Sequence, residues 1–406
     1  MSQTIDTVNG LVKQMYDDNT ITKQFNDEAV LFNKIKTDAR KPAGDGLFIN
    51  VHLQGNERGQ GSQNMREALR QPADQSTVKG RILNTIFTHT IGFPGLEVEA
   101  VTKGDAAFAN SITFKMDEGL KDSKKELNSQ LYRDGSGRLA QVNGAVLAGN
   151  TDIVVDNGIL THFRRGMFLD FYFGGSKQVA GAELADVDIP TSTVILKNPL
   201  PAGVSDNADI YRESVNDSPP ADGKELLGLP IVTDDGSLST TYLGIDRTTT
   251  FGWDGVTLNA AGVNLSNDLL QRSISRNKIL NGGKTPNKIV SNTQQMRKYL
   301  DILTPLKRFD SKGKMDSGDV EVPTWNGKEW IEDTDCGFSE VYGINTEYIS
   351  KFELRGLHWD SLGNGDVIKW DNGFDAFVAY AKYYGNVASR MPNAHFRLIN
   401  LAVPTF

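Results

Sequence analysis

The sequence predicts an α+β chain, and three observations carry that expectation. Residues 106–132 repeat apolar side chains at helical spacing over seven turns or so. A block at 138–217 consists of short β-rich runs broken by Gly, Pro, Asn and Asp. From Leu226 onward the order is helix, strand, helix, followed by a strand-rich tail. With 406 residues the chain is long enough for two or three domains with cores of their own. Its 38% hydrophobic and 23% charged content is that of a folded, water-soluble protein.

Residues 5–36, beginning IDTVNGLVKQMYDD and continuing ITKQFNDEAVLFNKIKT, read as loosely packed helix. Leu11, Met15, Ile21, Phe25, Val30 and Phe32 are too sparse to build a core alone. Such a segment either lies on something else or frays. LFINVHL at 47–53 alternates as a strand, and GRILNTIFTHTI at 80–91 does the same. The polar, Gly-rich stretch between them is long for a connection inside a compact domain and predicts a protruding hairpin. It holds Arg58, Arg66, Arg70, Lys79 and Arg81 against Glu57, Glu67 and Asp74. That slight positive excess suits either an acidic neighbour or plain solvated surface.

In the long helix, Ile112, Met116, Leu120, Leu127 and Leu131 define one buried face. Lys115, Asp117, Lys121, Asp122, Lys124, Lys125 and Glu126 are expected to cover much of the rest. The helix runs into ELNSQLYRDGSG at 126–137, where the periodicity stops. Asp134-Gly135 is a turn pair, and Gly135 or Gly137 suits a positive φ. The segment lacks the alternating oxygen ligands of a calcium loop. A phosphate loop needs GxxxxGK[ST], and NGGKT at 281–285 fails because Lys278 stands where its first Gly would be. The stretch is therefore read as a helix stop.

NTDIVVD, MFLDFYF, STVILK and DNADIYRES make the small all-β block, which ends near DSPPADG. Beyond it, NLSNDLLQRSISRNKIL places Leu265, Leu269, Leu270 and Ile274 on one helical face. KIVSN then reads as a strand, and TQQMRKYLDIL as a helix capped by Ser291 or Asn292. EYISKFELRGLHW, DVIKW, AFVAYAKYYG and HFRLINLAV are the tail strands.

The residues nominate no catalytic, cofactor-binding or metal-binding set, and no cofactor is expected. His52, His89, His162, His358 and His395 are scattered without metal-ligand spacing. Cys336, the single cysteine, sits among Asp333, Asp335 and Glu340, which raise a thiol pKa rather than lower it. One cysteine excludes an intrachain disulfide framework. No nucleophile elbow or dinucleotide fingerprint is present. Trp253, Trp325, Trp330, Trp359 and Trp370 cluster in the second half, as packing or as the wall of a sugar or peptide groove. The net charge of −8 argues against a chain that grips nucleic acid, and the first forty residues form no basic arm. MSQTIDTVNG has no secretory signal, and no apolar run reaches a membrane span.

The order of these features resembles the major capsid proteins of tailed double-stranded DNA phages, the Hong Kong 97-type fold, and most of all the phage N-four-like coat family. Four stretches carry the resemblance: LYRDGSG at 131–137; LGLPIVTDDG with YLGIDRTTTFGW between Leu227 and Trp253, including Gly244, Ile245, Asp246 and Arg247; NDLLQRSISRNKILNGGKTPNKIVSNTQQMRKYL at 267–300; and the long hairpin at 47–91.

The resemblance implies an N-terminal arm at 1–46, an extended loop at 47–91, and a peripheral domain with a spine helix at 92–137. It further implies a β-rich insertion domain at 138–217, an axial domain at 218–350, and peripheral return strands at 351–406. Such a chain would assemble as hexamers and pentamers into an icosahedral head shell, built in the host bacterial cytoplasm and carried in the virion. A separate scaffolding protein, a portal protein and a decoration protein are the partners this implies. The packaged DNA would touch the inner face without sequence-specific binding. Two other classes compete: a tail or decoration protein, and a carbohydrate-active enzyme, which would need paired buried carboxylates beside a Trp-lined cleft.

Overall fold

The computed structural model describes residues 29–42, 46–54, 76–102, 106–156, 158–213, 225–250, 252–281, 283–303, 324–361, 367–371 and 373–403. The chain enters through a short helix, α1 (Val30–Lys34), on which Leu31 and Phe32 are buried. Phe32 packs edge-on against Tyr383, and the Leu31 and Phe32 amides donate to Asp333 and Asn128. Ala29, Leu31, Phe32 and Ile35 thus belong to the subunit's own core. This corrects the expectation that the whole leading segment lies outside that core. Leu11, Met15, Ile21 and Phe25 fall outside the described residues.

Strands β1 (Leu47–Gln54) and β2 (Ser76–Ile82) pair antiparallel from Leu47–Ile82 to Gln54–Ser76. The tip of this hairpin, with Arg58, Arg66 and Arg70, lies outside the described residues. The strand expected over 80–91 is two strands. The chain breaks at Leu83-Asn84, and β3 (Thr85–Pro94) leaves the hairpin to pair with a strand near the C-terminus. Helix α2 (Gly95–Thr102) follows, then α3 (Ala106–Gln130), 25 residues long.

On α3, Ile112, Leu127 and Leu131 are buried, while Met116 and Leu120 are half-buried. The helix lies across β3, and the approach is close at Gly119. A Cβ there would stand 1.9 Å from the Ile91 Cδ1 atom, so the Ile91 side chain would have to move aside for any larger residue. The helix ends in three successive bonds from residue i+3 back to i, at Leu131, Tyr132 and Arg133, which tighten its last turn. Asp134 Oδ1 then accepts from the Ser136 amide at 3.0 Å, and Gly135 takes a φ of 82°.

Strands β4 (Arg138–Val142), β5 (Asp152–Asp156), β6 (Phe168–Phe173), β7 (Ser176–Asp188), β8 (Thr193–Leu196) and β9 (Asp209–Arg212) close into a barrel in the order β4-β5-β8-β7-β6-β9. Its interior is filled by alternate side chains such as Ile153, Leu169, Phe171, Val194 and Ile210. The chain returns to the body at α4 (Leu229–Val232) and a two-residue ribbon, β10 (Thr241–Tyr242) and β11 (Ile245–Asp246).

The next elements are β12 (Val256–Asn259), α5 (Asn267–Asn281), β13 (Lys288–Ser291), α6 (Thr293–Leu303), β14 (Thr324–Trp325), β15 (Lys328–Glu332) and β16 (Val341–Ile344). The remaining strands are β17 (Ile349–Trp359), β18 (Ile368–Trp370), β19 (Ala376–Ser389) and β20 (Phe396–Ile399). A mixed six-stranded sheet runs β12-β20-β16-β13-β15-β14, with β12 parallel to β20 and β13 parallel to β15. Helices α5 and α6 cover it through Leu269, Leu270, Ile274, Met296 and Tyr299, and Tyr299 stacks on Trp330 at 4.2 Å. The second sheet is built on β19, which pairs with β17, β18 and β3. The tail strands therefore do not share one sheet. After Ser389 the chain crosses over, and β20 inserts between β12 and β16.

Burial along α3 generates a graded prediction. Leu127→Ala should destabilise the isolated subunit by ~2–5 kcal/mol, as for a fully enclosed leucine. Leu120→Ala, at a half-buried position, should cost clearly less. Denaturant unfolding of both variants checks this. Equal losses would show that the two ends of the helix are equally enclosed.

Candidate functional site

The C-terminal end of α3 is buried on all sides, although Lys125, Glu126, Asn128, Ser129 and Gln130 are polar. The expectation that Lys125 and Glu126 face solvent is thus corrected, and the reason lies in partners far away in sequence. Lys125 Nζ meets Asp335 Oδ1 at 3.0 Å. Glu126 Oε1 accepts from Arg133 Nη2 at 2.5 Å, and its other oxygen accepts from Arg212 on the last barrel strand. Arg164 of the barrel lies 3.8 Å from the same oxygen. Arg133 Nε stands 3.2 Å from Glu225 Oε2. Asn128 donates to Asp333 and Asp335, Tyr132 donates to Asp333, and His162 Nε2 donates to the Asp335 carbonyl at 2.9 Å. The helix end, the barrel and the loop after β15 converge on this one cluster.

Its electrostatics are set by opposing effects. Burial alone would push the Glu126 carboxyl up, but Arg212, Arg133 and Arg164 outweigh it and hold the group well below the usual carboxylate range. Glu225 ends on the other side: burial raises it and Arg133 only partly compensates. His162 is driven neutral by burial and by the Arg133 charge. These groups bind one another rather than a reactant, so what the cluster does is orient.

Two contacts explain why LYRDGSG and LGLP occur together. The Leu229 amide at the start of α4 donates to the Leu131 carbonyl at 2.6 Å. A Cβ on Gly228 would stand 1.8 Å from the Arg133 carbonyl oxygen, so only glycine lets the two segments touch. TDDG and GIDR meet in the same way. Arg247 donates to Asp234 Oδ2 at 2.7 Å and to the Ile231 carbonyl at 2.6 Å, and Asp234 also accepts from the amides of Gly236, Leu238 and Ser239.

His395 closes a third buried contact. Its Nδ1 accepts the Asn345 amide at 3.0 Å, which leaves the proton on Nε2, 2.7 Å from Ser389 Oγ. Burial holds its pKa down at about 3. His52 is exposed, His89 and His358 are half-buried, and the five histidines form no cluster. Cys336 is buried, and burial followed by Glu340 and Asp333 pushes its thiol well up. Among the described residues no group of three His, Cys, Asp or Glu could hold a metal ion, and no helix is long and apolar enough to cross a membrane.

Among the described residues, neither of two cavities joins a tryptophan to a pair of acids. Trp253, Trp325 and Trp330 are buried in cores. A cavity of about 730 Å³ beside α3 has Glu118, Asp122, Asp371 and Asp375 in its wall but no Trp. The cavity of about 580 Å³ that reaches Trp253 has one carboxylate, Glu347.

Glu126→Gln leaves the buried Arg133 with Glu225 as its remaining counter-charge and takes the carboxylate from the partly exposed Arg212, and should cost ~1.5–3 kcal/mol in unfolding free energy. A loss below about 1 kcal/mol would show that the arginines find water or other partners. His395 gives a pH prediction. Because its folded value is depressed, its contribution is full above the unfolded value near 6.5 and is lost as pH falls from there toward about 3. Replacing it with Gln should lower the slope of unfolding free energy against pH by ~1.4 kcal/mol per unit in that window. An unchanged slope would show that His395 takes up its proton in the folded chain.

No protein-family model matches the chain, and no curated protein matches it. Solved structures do. A chain of the cyanophage A-1(L) capsid asymmetric unit is similar at a TM-score of 0.57 and 10% identity, with 94% of this chain and 95% of that one covered. The capsid of Myoviridae phage XM1 matches at 0.47 and 10% identity, covering 99% and 100%. The holo-SrpI encapsulin complex from Synechococcus elongatus PCC 7942 matches at 0.47 and 8%, covering 100% and 98%. At such identities the likeness is one of fold: the chain is an α+β fold with a closed β-barrel and mixed sheets that resembles the Hong Kong 97-type capsid architecture.

Proposed function

We propose that the chain is the major capsid protein of a tailed double-stranded DNA phage. One observation carries the reading. The likeness to the cyanophage capsid chain spans 94% of this chain and 95% of that one, so nearly all of each chain is used by the shared fold. In this reading α3 is the spine helix, the β1–β2 hairpin is the base of the extended loop, and residues 1–46 are the arm, docked on the subunit's own core at α1. The barrel is the insertion domain, and the six-stranded sheet is the core of the axial domain. Subunits assemble as hexamers and pentamers into the head shell of the virion, with a separate scaffolding protein, a portal protein and a decoration protein as partners. Membership of the N-four-like coat family rests on LYRDGSG, LGLPIVTDDG and GIDR, whose residues meet in two buried contacts.

Two physical features support assembly with copies of itself. Phe48, Leu83, Ile86 and Leu354 are exposed, as are Leu96, Trp370 and Phe374 near the far end of the β19 sheet. Apolar side chains left in water are what a neighbour would cover. The net charge of −8 suits a container that must release its DNA.

The test is co-expression with the scaffolding protein, followed by sedimentation and electron microscopy. Closed shells of hexamers and pentamers are expected from the full chain. Deleting residues 2–28 should leave a folded subunit, because α1 and its core contacts remain, and should give poor or malformed shells. A few copies per particle at a tail position would overturn the capsid reading. Normal shells from the truncated chain would show that residues 2–28 are not an assembly arm.

A further inference from the structure

Lys284 and Lys328 line one cleft at one end of the six-stranded sheet, and the charge of Lys278 acts on Lys328. Lys278 lies in the last turn of α5, Lys284 on the loop to β13, and Lys328 at the start of β15. Between the two loops is a cleft of about 320 Å³, lined by Gly283, Lys284, Thr285, Gly327, Lys328 and Glu347, among others. The glycine walls are open: nothing stands within 4 Å of where a Cβ would be at Gly283 or Gly327.

Among the described residues these three ammonium groups have neither an ion pair nor a side-chain hydrogen bond. The contrast with their neighbours is informative. Lys34 and Lys288 both bond to Glu329, so the carboxylate on the adjacent β15 position is already shared by two other cations. Glu347 is the single acid of the cleft lining, against Lys284 and Lys328 in the same lining. Lys328 is half-buried. Burial, and then the charge of Lys278, hold its ammonium below the usual lysine range. Like charges are thus pressed together with little opposing charge from the described residues.

We propose that this cleft is an anion-binding site for a phosphoryl group, held by Lys284 and Lys328 with Lys278 behind them. Three ammonium charges against one carboxylate leave an excess of about two, which a phosphate dianion neutralises and a chloride or single carboxylate does not. Lysine serves such groups as a point charge with three donors. Free phosphate or polyphosphate brings that charge on one molecule, and a nucleic-acid strand brings it as two neighbouring, singly charged phosphates. The site does not depend on the capsid reading.

The test is calorimetric titration of the purified full-length chain with pyrophosphate at low salt. Saturable binding of one pyrophosphate per subunit is expected. Lys284→Gln and Lys328→Gln should each weaken it roughly tenfold or more, the usual worth of one charge-assisted bond. Lys197→Gln, on the barrel, should not change it. Thermal unfolding of each variant controls for folding, and raised salt should weaken binding in the wild type. A short DNA strand without a terminal phosphate forms a second arm. Competition with pyrophosphate would make the strand backbone the source, and no competition would make it the free anion. The absence of saturable pyrophosphate binding would overturn the proposal. So would binding that both lysine variants leave unchanged.

Discussion

The architecture depends on one constraint: the charged end of α3 is buried, and buried charges must be paired. Glu126 is enclosed by Arg133 from its own helix end and by Arg164 and Arg212 from the barrel. An ion taken out of water loses several kcal/mol of hydration, and attraction recovers this only when the partners hold good geometry. Rotating the barrel about its two connections would strand Glu126 or the arginines. The cluster is therefore best understood as a device for a single orientation, since an apolar replacement of equal volume could be as stable. Asp333 and Asp335 do the same for the six-stranded sheet, through Asn128, Tyr132 and Lys125.

Around that cluster the chain is fastened by contacts that join distant segments. The amide of Leu229 satisfies a carbonyl of the α3 end, the kind of group a helix terminus leaves without an internal partner. Gly228 is the position that permits the approach. Arg247 spans from the β10–β11 ribbon to Asp234 and the end of α4. His395 ties β20 to Asn345 and Ser389, and so joins the two sheets where the chain crosses between them. The subunit's periphery carries exposed apolar side chains, among them Phe48, Leu83, Ile86 and Leu354.

The legible part of the fold was local. Helix α3 showed itself through apolar steps of three and four, and its end through Asp134-Gly135. Strands β5, β6, β8 and β9 showed themselves through runs such as FLDFYF and TVIL. Strand β7 did not. SKQVAGAELADVD is rich in Ala and polar residues, and most of its side chains are only half-buried. GRILNTIFTHTI does break its alternation at Leu83-Asn84, where β2 ends, but nothing in those residues shows that the pairing partner changes from β1 to β19. For the buried cluster, Tyr132 and Arg133 stood in a motif that carried the resemblance, but nothing near them in sequence indicated Arg212 or Asp333.

The sequence by itself determined the α+β class, the long helix and its stop, and the β-rich block. It also indicated the absence of a nominated catalytic set. These follow from periodicity and residue type over short windows, where backbone geometry and solvation act locally. Only the tertiary structure decided that Lys125 and Glu126 are interior, that Phe32 is core, that β20 joins the six-stranded sheet, and that Lys284 and Lys328 line one cleft. Each of these depends on groups brought from more than forty positions away. Whether a charge is solvated or enclosed is a property of those distant neighbours, and no local pattern encodes it.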